Sequence, residues 1–155
     1  MADEELETTT YLNQYRIGSK TLAYAVQAYA ATGKQEYYDD YMRELNEDRN
    51  RDTALEGLKK NNITKEEWDG MNQIAEFSNH LVPIEKEALE LAGQGDMEAA
   101  KKNVYGEEYR NMTQQINSLT DEVIARIQAR VKNVKIRLRI FQGVVRNRQD
   151  RYQSV

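Results

Sequence analysis

The chain is 155 residues long, 31% charged and 39% apolar, with one proline, no cysteine and a net charge of −4. That is one domain's worth of chain with room for a sizeable core, and the profile suits long amphipathic helices better than sheets. Disulfide and thiolate chemistry are excluded, and without a signal-peptide pattern or an apolar run near about 18 residues nothing here crosses or enters a membrane unaided.

Acidic residues at 3–7 suit the positive end of a helix dipole and predict a first helix from there to about residue 31. Along it Leu12, Tyr15, Ser19, Leu22, Val26 and Tyr29 recur at alternating spacings of four and three, which marks one buried stripe. Gly33 sits just past that stripe, as a left-handed C′ residue does. Tyr38, Tyr41 and Leu45 resume the beat on a second helix, predicted over 34–60 and antiparallel to the first because the connection is short. Asn61 and Asn62 stop it. Thr64 with Glu67 forms a capping box for a third helix over 65–92, with Trp68, Met71, Ala75, Ser78 and Leu81 facing inward. Pro83 lies inside that helix and removes the bond to the Asn79 carbonyl, so a kink or local unwinding is expected there. A corner at 93–96 with Asp96 as N-cap leads to a short helix over 97–104, broken at Gly106, and a last helix runs from Glu107 towards Arg146. Its beat of Tyr109, Met112, Ile116, Leu119 and Val123 slips by one to Ile127, Val131, Val134, Leu138 and Phe141, as a stutter does. From Lys135 a period-two alternation competes with the helical reading. The fold class is therefore all-α: an antiparallel up-down-up-down four-helix bundle with a long C-terminal helix.

Charge is divided unevenly. Residues 1–125 carry a net −12 and residues 126–155 a net +8. A basic end raises nucleic acid or an anionic surface as partners, but Phe141 and Tyr152 are its only aromatics, which favours a solvated or interface-proximal helix end and no nucleic acid. We divide the chain into a bundle domain over 1–131 and a basic extension over 132–155.

The stretch 46–53 is the best place for chemistry. Eight polar residues interrupt the apolar stripe, and Asp48 and Asp52 fall where a heptad would be buried. Counting outward from the corners sets them opposite residues 14–18, with Tyr15 and Arg16, on one side and residues 72–76, with Gln73 and Glu76, on the other, and Ser19 adjoins the first group. A mid-bundle polar layer follows, and buried charge needs partners. It is either a self-paired structural layer or a small-molecule pocket bounded by Arg16, Ser19, Asp48, Arg49, Asp52 and Gln73, whose mixed charge suits an amino acid or organic acid. His80 stands alone, without metal-ligand spacing, and reads as a surface or hydrogen-bonded residue. Tyr24, Tyr37, Tyr105 and Tyr109 read as bundle filler or as the lining of a distal pocket. No phosphate loop, triad or nucleophile elbow is present, so we expect no enzyme, no metal and no cofactor. Tyr11, Gly18 and Ala25 repeat every seven residues beside the core stripe, and the two small residues permit close helix approach.

The segments AYAVQAYAATGKQEYYDDYMREL, RDTALEGLKKNNITKEEW and SNHLVPIEKEALELAGQGDMEAAKKNVYGEEY resemble the four-helix-bundle sensory module of bacterial methyl-accepting chemotaxis receptors and related transmembrane signalling proteins. The resemblance covers residues 8–125 and rests on the order and spacing of its corners. It implies an extracytoplasmic domain held between two transmembrane helices, which binds a small ligand, passes a displacement to its last helix and pairs through its first helix, so we expect a two-fold homodimer along Tyr11, Gly18 and Ala25. Both spans are missing from this sequence. The basic stretch from Lys132 stands where an apolar span is expected, as in a fragment with an altered tail. A structural or adaptor bundle without a small-molecule ligand is the alternative.

Overall fold

In the computed structural model, which describes residues 2–153, every regular element is helical. Met1, Ser154 and Val155, at the outer ends of the two expected domains, lie outside the described residues. Helix α1 (Ala2–Thr32) opens on Asp3, Glu4 and Glu5 and ends at Gly33. There φ is 66°, and the Gly33 N–H reaches back to the Tyr29 carbonyl at 2.7 Å. A side chain at that angle would clash with its own backbone, which is why glycine ends the helix.

The second predicted helix is broken. Helix α2 (Gln35–Arg43) passes into a π turn, Glu44–Asp48, and Arg49 follows at φ 46° and ψ 44° before α3 (Asn50–Lys59) begins. The Arg49 N–H closes the π turn on the Glu44 carbonyl at 2.8 Å. Such a turn, together with a left-handed residue, resets the helical phase. That is why the heptad count placed Asp48 and Asp52 inside whereas both are exposed. Glu44 is buried in their place, along with Ala54 and Leu58.

Helix α4 (Lys65–Gly93) starts on the expected capping box. Thr64 Oγ1 accepts the Glu67 N–H at 3.2 Å, and Glu67 Oε1 accepts the Thr64 N–H at 3.3 Å. The helix continues through Pro83 without a break, so the local unwinding expected there is absent. Pro83 and Asn79 are both exposed, which leaves the freed carbonyl to solvent. Asp96 caps α5 (Met97–Tyr105) by accepting the Ala99 N–H at 3.2 Å. After Gly106, α6 (Glu107–Gln153) runs for 47 residues against 31 for α1. At about 1.5 Å per residue α6 therefore spans roughly 70 Å and α1 roughly 46 Å.

The core sits where the stripes meet: Leu12, Leu22 and Val26 of α1, Leu58 of α3, Met71 and Ile74 of α4, and Ile116 and Ile127 of α6 are all buried. The heptad stripe expected to face a second copy lies inside this bundle. Ala25 is 1% exposed, Gly18 is buried and Tyr11 half-buried. A Cβ on Gly18 would come within 2.9 Å of Glu44 Oε1, and one on Gly57 would run into the Tyr11 ring. The small residues thus let α1 and α3 approach each other. We expect Gly57→Ala to destabilise the protein by about 1–3 kcal/mol, the range for overpacking, in urea unfolding. A change below about 0.5 kcal/mol would show that the ring has room to move.

Candidate functional site

Among the described residues, Thr8 and Glu67 are buried near the starts of α1 and α4, whereas Glu44, Ser78 and Glu85 belong to two sets deeper in the bundle. In the first, the Glu44 carboxylate accepts from the Asn50 N–H at 2.9 Å and from Asn50 Nδ2 at 2.8 Å. Asn50 Oδ1 in turn accepts from Gln14 Nε2 at 3.1 Å. The π turn makes this possible, because it brings the side chain of Glu44 back over the start of α3. In effect Glu44 caps α3, a role that Arg49 at the N-cap position cannot fill.

The second set spans every long segment. Arg51 of α3 donates from Nη1 to Ser78 Oγ of α4 at 2.7 Å, and Ser78 Oγ lies 3.3 Å from Ser19 Oγ of α1. Tyr15 is 2% exposed; burial raises its hydroxyl pKa, against the pull of Ser78 and Arg51 beside it. Two turns further along α4, Glu85 is 3% exposed. Its Oε2, Tyr41 Oη and Tyr109 Oη are all buried without a hydrogen-bond partner. The two hydroxyls lie close enough to act on the carboxyl, but short of good hydrogen-bond geometry. Burial pushes Glu85 from 4.5 up to about 7, because the charge of Arg51 and the two tyrosines offset only part of the lost hydration. The same burial, then the Glu85 charge, raises Tyr41 and Tyr109.

The six residues expected to bound a pocket are not brought together. Arg16 pairs with Asp121 of α6 and donates to Asn13 Oδ1 at 2.6 Å. With Ser19, Leu81 and Ile116 it lines a cleft of about 40 Å³, room for about one water. Asp48, Arg49 and Asp52 are exposed. Arg49 Nη2 and Asp52 Oδ2 pair at 2.9 Å on the surface, with both side chains 56% exposed. Gln73 is also exposed and lines a separate cleft of about 210 Å³ beside Gly70, Glu122 and Arg126. Of the six, only Ser19 belongs to the buried layer.

Arg51, Ser78, Glu85 and the two tyrosines were the members missed. The signal for Glu85 was present, because it keeps the apolar beat of Met71, Ser78 and Leu81. An acid on that beat marks a buried carboxyl. Of the four corner tyrosines, Tyr109 is core, Tyr24 meets Tyr37 edge-on at 6.3 Å, and Tyr105 Oη donates to the Gln27 carbonyl at 2.9 Å. His80 is exposed. Among the described residues no group of His, Asp and Glu is placed to hold a metal, and no helix is long and apolar enough to cross a membrane. No protein-family profile, curated protein or solved structure matches this chain.

Proposed function

We propose that this chain is the ligand-sensing bundle of a chemoreceptor-type transmembrane signalling protein. In this reading it is an antiparallel up-down-up-down four-helix bundle, extracytoplasmic and homodimeric, anchored by spans outside this sequence. It has no catalytic role. The observation that carries the reading is the buried polar layer. Arg51 offers a carboxylate a guanidinium, and Glu85 with Tyr41 and Tyr109 offers an amine three unpartnered oxygens. An amino acid or small organic acid is the ligand class this chemistry suits. The adjoining cleft of about 40 Å³ is too small for either, so entry has to part α1 from α4 and α6. That movement is the displacement a sensor passes on, since a ligand shifts an equilibrium only through contacts that differ between its states.

A thermal-shift screen of amino acids and small organic acids tests this. A ligand at 100 times its dissociation constant adds about 2.7 kcal/mol to stability. Hits should vanish in Arg51→Met and persist in Asp52→Ala. Hits that survive Arg51→Met place the site outside the layer. A blank screen favours the second reading, an adaptor bundle without a small ligand, which the exposed apolar stripe at the end of α6 supports independently.

A further inference from the structure

Beyond Lys135, α6 leaves the bundle and takes its core stripe along. Within the bundle that stripe is Ile116, Thr120, Val123, Ile127 and Val131, all buried. It goes on as Val134, which is half-buried, and then as Leu138, Phe141 and Val145 at the same spacings of three and four, with Arg148 on the next beat before Tyr152. Leu138, Phe141, Val145 and Tyr152 are 44%, 66%, 38% and 85% exposed. From Ile136 to Gln153 every residue is exposed, over roughly 27 Å of helix. This is one a/d seam, covered by α1 and α4 in its upper half and uncovered in its lower half.

Charge decides what fits there. Arg137, Arg139 and Arg146 lie alongside the seam and Arg148 on its beat, and residues 136–153 carry five arginines against Asp150, a net +4. The bundle shows how such flanks are matched just where the overhang starts. Glu5 of α1 pairs with Lys135 at 3.8 Å, and Glu67 of α4 pairs with Arg130 at 2.9 Å. In both pairs an acidic helix edge lies against a basic edge of α6.

We propose that the overhanging seam of α6 is a docking surface for an acidic amphipathic helix, one with a heptad apolar stripe and Asp or Glu beside it. A second copy of the seam fits poorly, because it would set the net +4 of residues 136–153 against another +4. A lipid surface also fits poorly. Arg137 and Arg148 separate the seam from Ile136, Ile140 and Val144, so the apolar face is narrow and interrupted rather than broad. The proposal does not rest on the sensory reading.

The test uses the full chain and two synthetic peptides of about three heptads, identical in their leucine seam and flanked by Glu in one and by Lys in the other. The Glu-flanked peptide should bind, at least tenfold tighter than the Lys-flanked one, and weaken as salt rises from about 0.05 to 0.5 M. Leu138→Asp with Phe141→Asp should weaken it at least tenfold while circular dichroism of the bundle is unchanged, since both sites are exposed. Reversing Arg137, Arg139, Arg146 and Arg148 to Glu should invert the preference between the peptides. Binding of neither peptide, or of both equally, overturns the proposal. So does micromolar self-association that the Leu138/Phe141 variant abolishes, or binding confined to phosphatidylserine vesicles.

Discussion

Glu85→Gln should stabilise the protein at pH 8 by about 2–3 kcal/mol and leave it nearly unchanged at pH 5. The Glu85 carboxyl sits at about 7 in the folded chain against an ordinary 4.5. An acid whose pKa is raised on folding contributes its stability in the protonated form. That contribution is full below pH 4.5 and is lost as the pH rises through 7. Glutamine is neutral throughout, so its stability profile should lack this decline. At the few degrees per kcal/mol typical of a chain this size, the melting temperature at pH 8 should rise by roughly 5–10 °C. Melting curves of both proteins from pH 5 to 8.5 decide the matter. If Glu85→Gln destabilises equally at both ends, Arg51 holds the carboxylate ionised and the burial penalty has been offset. Tyr41→Phe and Tyr109→Phe separate the contributions further. Each removes an unpartnered buried hydroxyl, and replacing such a group by its apolar isostere is close to neutral when no hydrogen bond is lost.

The sequence and the structure part company most between Glu44 and Asp52, and the cause is local. Helix ends were legible because they are written in short-range chemistry: Gly33 at positive φ, the Thr64–Glu67 capping box, Asp96 ahead of α5. Core residues were legible wherever a helix is unbroken, as along α1 and α6. Of the residues expected in a mid-bundle polar layer, Ser19 meets Ser78 inside the bundle, whereas Asp48, Arg49, Asp52 and Gln73 are exposed. A heptad count runs correctly only through uninterrupted α-helix, and the turn from Glu44 to Arg49 inserts a phase shift that no glycine or proline announces. The shift turns Asp48 and Asp52 outward and brings Glu44 and Arg51 towards the core. The small residues of α1 read equally well as an outer face, because heptad spacing does not say which helix fills the space beside them; here Glu44 and Arg51 lie against Gly18. In the tail, period-two alternation from Lys135 competed with the heptad beat, and the helix continues to Gln153. A strand needs a neighbour to pair with, whereas a helix closes its own hydrogen bonds.

The opposite slope in pH should come from the lower end of the bundle, and Arg130→Met should expose it. Arg130 donates from Nε and Nη2 to the two Glu67 oxygens at 2.9 Å each. The Glu67 side chain is 3% exposed and that of Arg130 is 34% exposed. Burial pushes the Glu67 carboxyl up, but the bonds from Arg130 and Thr64 outweigh it and hold the group below its ordinary value. An acid depressed on folding contributes its stability in the ionised form. That contribution is present above pH 4.5 and is lost as the pH falls through the folded value. Wild-type stability should therefore peak in the weakly acidic range, between the loss of the Glu67 pair below and the ionisation of Glu85 above. Arg130→Met leaves a buried carboxylate with only its capping bond, and breaking such a pair costs about 2–4 kcal/mol once the partial exposure of the arginine is discounted. Arg126→Met, which removes an ion pair with Glu122 at 54% exposure on both sides, should change stability by less than about 0.5 kcal/mol. Adding Glu67→Gln to Arg130→Met should recover part of the loss at pH 7, because the amide keeps an oxygen for the Thr64 N–H without a charge to desolvate. Urea unfolding at pH 7 and pH 4 measures all three variants. A loss for Arg130→Met no larger than that for Arg126→Met would mean that solvent reaches Glu67 and that the pair does not hold α6 to the start of α4.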